Sequence, residues 1–319
     1  MSPISEFKRV MTSPVAYVNG SYVSIEQASL HVFDLGIVGG VAVTEMVRTF
    51  LHQPFRLNQH LERFTQSSAL TGLEIGITND ELRQICERLI TENAKLIPAH
   101  HDLGLIVFVT GGENPTYVGA NRSVSGQSTL VAHTFPLPFE LWASTYQVGL
   151  HLVTVGTQSI PDNVIDPRIK HRSRLHWHLA AREARKIDPG AMAILTDQAG
   201  QLTETASGNL CVVDGTTIIT PSAHVLEGIS REFAAELAAE AGIEFVHAPV
   251  SPDDLAHADE AFLTSTPHCL LPITRFNKTP IGDGQPGPIF QRLLGAWGQA
   301  VDTDIAEQMQ RGARDRISG

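Results

Sequence analysis

The sequence predicts an α+β chain in two mixed halves, and three observations point there. Strand-like and helix-like stretches both run the whole length. They follow one another without the regular alternation of a doubly wound sheet. A stretch with two prolines, residues 133–139 (HTFPLPF), reads as a connector and divides the chain near its middle. The expected organisation is an N-terminal domain over 1–134, a linker over 135–145 and a strand-rich C-terminal domain with a helical tail over 146–319.

The elements follow in order. Residues 17–22 read as a hairpin, with Asn19-Gly20 as the two-residue turn that needs positive φ at both positions. Residues 43–50 read as a β-branched strand. Leu57, Leu61, Phe64, Leu70 and Leu73 recur at helical spacing. Thr78 followed by Glu81 has the spacing of a capping box, and Leu82, Ile85, Leu89 and Ile90 form the apolar face of the helix behind it. Residues 103–110 read as a buried strand ended by Gly111-Gly112. Past the connector, 148–155 is a strand and 175–186 a helix. Short strands follow over 191–196, 201–204, 210–213 and 217–220, separated by turn residues. A helix over 229–241 is stopped by Gly242. Strands over 244–250 and 261–264 precede a helical, amphipathic end.

Composition narrows the function. With 319 residues the length suits one or two domains, and 42% hydrophobic residues support a sizeable core. A net charge of −11 speaks against nucleic acid or an anionic membrane as partner. No apolar run reaches the roughly 20 residues that span a bilayer. The first residues, MSPISEFKRVMTSP, lack a signal core, which favours a cytoplasmic location. Three cysteines, Cys86, Cys211 and Cys269, are widely spaced without a CxxC, so neither a disulfide framework nor a metal site is expected.

Against this acidic background one segment stands out. Residues 168–174 read RIKHRSR, and Lys170 is their single lysine. Neighbouring cations lower a lysine's pKa, and a lysine so shifted suits Schiff-base chemistry. A solvated basic patch would look the same. In LEGISR, Gly228, Ile229 and Ser230 stand at a helix start, where free amides and the dipole favour phosphate. Many ordinary helices begin so. Arg63, three residues after His60, has the planar fork for a phosphate or simply meets solvent. Glu204 ends a strand beside small residues, facing either a heterocycle or water. Thr266 ends another strand with a hydroxyl on offer.

In their order and spacing these pieces resemble the class IV aminotransferase family of pyridoxal-phosphate enzymes. The resemblance spans about residues 17–272. It is carried by VNGSYVSIEQASLHVFDLGIVGG, TEMVR and PFRLNQHLERF in the first half. IKHRSRL, LTETASGNL, ITP, LEGISR, ADEAFLTST and LLPI carry it in the second. It implies the two-domain fold type IV, with pyridoxal 5'-phosphate between the domains, and a homodimer whose active site lies near the interface. It further implies Lys170 as the lysine that carries the cofactor and moves the proton, and Glu204 as partner of the pyridine nitrogen. Arg63, Ile229, Ser230 and Thr266 are implied at the phosphate, Leu226 against the ring, and Asn209 and Gly228 beside them. The implied reaction is ping-pong transfer of an amino group between an amino acid or amine and a 2-keto acid. A lyase similar to aminodeoxychorismate lyase is the alternative, supported by the KHxxRL pattern, and a catalytically idle binding protein is the third reading.

The chain departs from the family where the substrate would sit. Gly39-Gly40-Val41-Ala42 and Thr44 replace commoner residues, Leu175 stands where branched-chain enzymes carry a tyrosine, and residues 111–118 contain no arginine. A buried substrate carboxylate needs donors. Arg48, three residues after Glu45, is expected either to supply them or to pair with Glu45 or another carboxylate and only stiffen the strand, with Tyr117 and Pro267 as further substrate contacts and Arg172 and Arg174 as rivals.

Overall fold

The computed structural model describes residues 13–118 and 127–317. The N-terminal residues 1–12, on which most of the leader argument rests, lie outside that range. Among the described residues no helix is long and apolar enough to cross a membrane.

The first half builds a six-stranded sheet. In chain order it holds β1 (Val15–Val18), β2 (Ser21–Ser24), the short α1 (Leu35–Val38), β3 (Ala42–Phe50), β4 (Gln53–Pro54), α2 (Leu57–Thr71), α3 (Asn79–Ala94), β5 (Leu103–Thr110), the short α4 (Pro115–Val118) and β6 (Thr129–Pro136). The strand order is β2-β1-β6-β5-β3-β4, antiparallel throughout. The β1–β2 hairpin turns on Asn19 and Gly20, both at positive φ. Both partners of the Thr78–Glu81 capping box are made. One sheet face packs on α2 and α3 through Val43, Val47, Leu61, Phe64, Leu82 and Cys86. The buried side of α2 is not wholly apolar: His60, Arg63, Ser67 and Ser68 are buried with Leu61 and Phe64, whereas Leu70 is exposed.

One sequence expectation needs correcting. Residues 133–136 are not connector but the end of β6, which lies in the sheet between β1 and β5. Pro136 is the last residue of the strand, opposite Leu103, so it ends the ladder and does not interrupt it.

The second half opens with α5 (Thr145–Val148) and continues through β7 (Leu150–Thr154), α6 (Leu175–Ile187), β8 (Met192–Thr196), β9 (Leu202–Thr205), β10 (Asn209–Asp214), β11 (Thr217–Pro221), α7 (Ile229–Glu240), β12 (Glu244–Ala248), α8 (Pro252–Ala256), β13 (Glu260–Ser265), β14 (Cys269–Phe276), β15 (Thr279–Pro280), α9 (Pro288–Ala300) and α10 (Ile305–Ile317). Nine strands form one mixed sheet, β12-β11-β10-β13-β14-β7-β8-β9, with β15 on β14. It curls until β9 meets β10 at a single pair, Glu204 opposite Asn209. Leu152, Ile194, Leu210, Leu263 and Ile273 fill its inside. The outer face packs under α7, α9 and α10 around Phe233, Phe262, Phe290 and Trp297. Three parallel pairs, β11–β12, β7–β8 and β14–β7, occur within it, and α7 and α6 are the crossovers of the first two. Strand β14 carries Pro272 yet tolerates it, because its parallel neighbour β7 pairs only from Ile273 onward.

The C-terminal helix ties back to the first half. Gln308 donates to Asp102, and His100 and His101 face Asp315.

Candidate active site

Lys170 sits where the second half lies against the first. Its segment runs along β3 as a short antiparallel bridge. Thr44 N–H donates to the Lys170 carbonyl at 2.8 Å, Arg172 N–H to the Ala42 carbonyl at 2.9 Å, and Val43 stands opposite His171. The Lys170 N–H donates to Ser67 Oγ of α2 at 3.1 Å. Burial lowers the Lys170 amine to about 8, and the Arg63 charge adds to the effect while Glu45 and Glu204 oppose it. The cause is therefore not the one expected from the basic run. Arg168 turns away to Asp166, and only Arg174 of that run contributes, after the other groups. Desolvation and a helix arginine from the other half do most of the lowering.

Arg63 is fixed by Glu45. Its Nε and Nη2 donate to the two Glu45 oxygens at 2.8 and 2.7 Å, and its Nη1 to the Glu227 carbonyl at 2.8 Å. His60 Nδ1 lies 3.1 Å from the same carboxylate. Burial alone would raise the Glu45 carboxyl. The Arg63 and His60 interactions outweigh it and hold the group well below the usual carboxylate range. Burial in turn pushes His60 down, so near neutral pH His60 supplies a hydrogen bond and Arg63 the charge. Two guanidinium N–H groups of Arg63 remain beyond these bonds.

Helix α7 begins beside Arg63. Its N-cap is Gly228, and no side chain caps it, so the amides of its first turn have no side-chain acceptor. Gly228 is glycine for a packing reason. A Cβ there would fall 1.9 Å from Asn209 Oδ1. Asn209 Nδ2 donates to Glu204 Oε2 at 3.1 Å and to the Leu226 carbonyl at 3.0 Å, and Leu226 N–H donates to the same Glu204 oxygen at 3.2 Å. One oxygen of Glu204 is thus anchored, and Oε1 has no partner among the described residues. Burial raises the Glu204 carboxyl, against the Leu226 N–H and the charges of Lys170, Arg174 and Arg231.

These side chains share one cleft of about 340 Å³. All the residues expected at the cofactor line it: Arg63, Lys170, Glu204, Asn209, Leu226, Gly228, Ile229, Ser230 and Thr266. Pro267, expected at the substrate, lines it too. Arg48, the first candidate for the substrate's carboxylate, does not. Residues three apart on a strand point to opposite faces, so Arg48 and Glu45 cannot act on one side. Thr44 and Met46 of β3 line the cleft, but Arg48 is buried beyond them. Its donors reach the Thr49 and Pro267 carbonyls, Cys269 Sγ and Gln308 Oε1, and its guanidinium lies 3.9 Å from the centre of the Phe50 ring. Tyr117 is also outside the cleft, half exposed and 6.0 Å from the Phe33 ring. Arg172 and Arg174, the rivals, are in it.

Sequence reasoning missed Glu45 as the holder of Arg63. The alternation of β3 signals it, since Glu45 shares the parity of Val43 and Val47, which face α2. Ser67 gave no signal. An amine at the centre, a carboxylate with one open oxygen on one side, and an arginine, helix amides and a hydroxyl on the other fit a pyridoxal phosphate. They match its aldehyde carbon, ring nitrogen and phosphate in turn.

The sequence matches the family model described as amino-transferase class IV over residues 42–276. Among curated relatives, a putative branched-chain-amino-acid aminotransferase of Methanocaldococcus jannaschii is 29% identical over 280 residues, covering 87% of this chain and 93% of that one. The D-alanine aminotransferase of Bacillus licheniformis is 26% identical, covering 91% and 98%. Among solved structures, the branched-chain amino acid aminotransferase of Escherichia coli superposes with a TM-score of 0.82 at 24% identity, covering 90% and 94%. The branched-chain amino acid aminotransferase of Thermobaculum terrenum in its PLP form does so with a TM-score of 0.79 at 23% identity, covering 94% and 98%.

Proposed function

The chain belongs to the class IV aminotransferase family of pyridoxal-phosphate enzymes, and on that premise we propose which residues would transfer an amino group here. The carrying observation is the shared cleft, in which a lysine lowered to about 8 stands among Glu204, Arg63 and the start of α7. When bound, the cofactor serves as an electron sink for the substrate's α-carbon. Lys170 would hold it covalently and would carry the proton to and from that carbon. An amine lowered to about 8 has a far larger share of free base near neutral pH than an ordinary lysine, which suits both tasks. Glu204 keeps the ring nitrogen protonated through Oε1, while Asn209 and the Leu226 N–H hold its other oxygen. Arg63, Ile229, Ser230 and Thr266 bind the phosphate, and Glu45 aims Arg63 at it. Leu226 packs on the ring.

The substrates are an amino donor and a 2-keto acid. The relatives are named for branched-chain amino acids and for D-alanine, and these two classes are the donors to try first. The working unit is a homodimer. Supporting it, Val32, Ile37 and Val41 are exposed on the segment from 32 to 41, and Tyr117 is exposed on α4, whose preceding residue Asn114 donates to the Phe33 carbonyl. A cytoplasmic location fits three buried cysteines with no disulfide between them, and cell fractionation checks it. The domain boundary falls within 135–145, and limited proteolysis that first cuts inside either flanking sheet would count against it.

The test is spectroscopic. The protein loaded with pyridoxal phosphate should be yellow and lose that colour on adding a suitable amino acid. A 2-keto acid should restore the colour and sustain turnover. Turnover that never needs a keto acid would favour the lyase. Colour that no amino acid changes would favour the idle protein.

A further inference from the structure

The reaction proposed for the cleft needs a partner for the substrate's carboxylate. Three arginines line the cleft, Arg63, Arg172 and Arg174. Arg63 is bound to Glu45 and Glu227, and Arg174 donates to the Ala206 carbonyl. Arg48 is held behind the wall. Arg172 differs from all of these. Among the described residues its guanidinium has neither a hydrogen-bond acceptor nor a carboxylate within ion-pair range. Its only contact of that kind is the Phe108 ring of β5, whose centre is 4.4 Å away.

Its position is set by the same bridge that sets Lys170. The bonds from Thr44 N–H to Lys170 O and from Arg172 N–H to Ala42 O bracket the Val43–His171 pair. In such an extended run residues two apart project to the same side. Lys170 and Arg172 therefore leave the backbone together, on the cleft side of β3. The backbone bond and the Phe108 face limit where the guanidinium can go, and a stacked arginine keeps its edge N–H groups open. An amino acid whose nitrogen reaches the Lys170 position carries its carboxylate one carbon further on. A planar fork with every donor open is suited to take that group in two parallel bonds.

We propose that Arg172 is the anchor of the substrate's carboxylate, and that the enzyme accordingly takes amino acids in preference to primary amines without a carboxylate. The anchor rests on the transaminase reading above, and the experiment separates the two. Wild type and Arg172→Met, each loaded with pyridoxal phosphate, are mixed with L- and D-alanine and L- and D-leucine, and with ethylamine and 3-methylbutylamine. Loss of the cofactor's colour gives the half-saturating concentration and the maximal rate, and cofactor content is measured separately.

The expected result is a wild type that favours at least one amino acid over its decarboxylated amine. Arg172→Met should lose that preference by about thirtyfold or more, mostly through the half-saturating concentration and with cofactor content unchanged. Arg172→Lys, which keeps the charge without the fork, should recover only part of it. A preference unchanged in Arg172→Met overturns the anchor and leaves transamination standing, as does a wild type that converts amines as readily as amino acids. A wild type that reacts with none of the compounds overturns both.

Discussion

Lys170 owes its lowered amine to burial first and to Arg63 second, and that order makes a pH prediction. Below about 8 the amine is protonated and cannot attack an aldehyde; above it the free form dominates. The rate at which the apoprotein takes up pyridoxal phosphate should climb about tenfold per pH unit below that value and flatten above it. A stopped-flow profile that flattens only near the ordinary lysine value would show that burial does not act as described. Borohydride reduction and peptide mapping should then place the label on Lys170, not on Lys186 or Lys278. Glu204 is testable by Glu204→Gln, which retains an oxygen for Asn209 and the Leu226 N–H. Cofactor content should hold while turnover falls on the order of 10²–10³-fold, the loss of a preorganised charge. Near-normal turnover would remove Glu204 from the ring nitrogen.

At the scale of elements, the cleft depends on how segments meet. Gly228 joins the start of α7 to β10, because its missing Cβ makes room for the Asn209 amide. Gly228→Ala should push Asn209 off Glu204 and cost about 1–3 kcal/mol by overpacking, read by urea denaturation. Its φ of −77° suits alanine, so a stability loss would report the clash and not backbone strain. Arg48 plays a comparable part for the turn between β13 and β14. It joins β3 to the Pro267 carbonyl, to Cys269 and to Gln308 of α10. Arg48→Met should therefore destabilise the fold by about 3–5 kcal/mol, as loss of a buried charged hub does. A mutant of normal stability with a selectively weakened substrate affinity would restore Arg48 to the substrate.

For the whole molecule the prediction concerns assembly. Ile37 and Val32 are 61% and 67% exposed, and with Val41 and Tyr117 they are large apolar side chains left in solvent on neighbouring segments, which a dimer interface would cover. Sedimentation should give a dimer, and Ile37→Asp should shift it toward monomer with loss of activity. A monomeric wild type with full turnover would rule out the dimer as the working unit.

The chain itself determined a good deal. The Asn19-Gly20 turn, the Thr78–Glu81 box, the periodic faces of α2 and α3, the glycine after α7 and most strands are local chemistry. They are legible because propensity and period act over a few residues. The nine cofactor candidates came from short motifs and their order, and they do line one cleft. Tertiary structure alone decided which face each side chain takes and what surrounds it. Strand parity sent Glu45 to Arg63 and Arg48 into a different cluster, against the spacing argument that linked them. The curl that closes β9 on β10 set Asn209 beside Glu204. Burial between two halves, not the charges written next to it, lowered Lys170. Desolvation depends on everything packed around a group, including chain more than a hundred residues away, and no local reading of the sequence contains it.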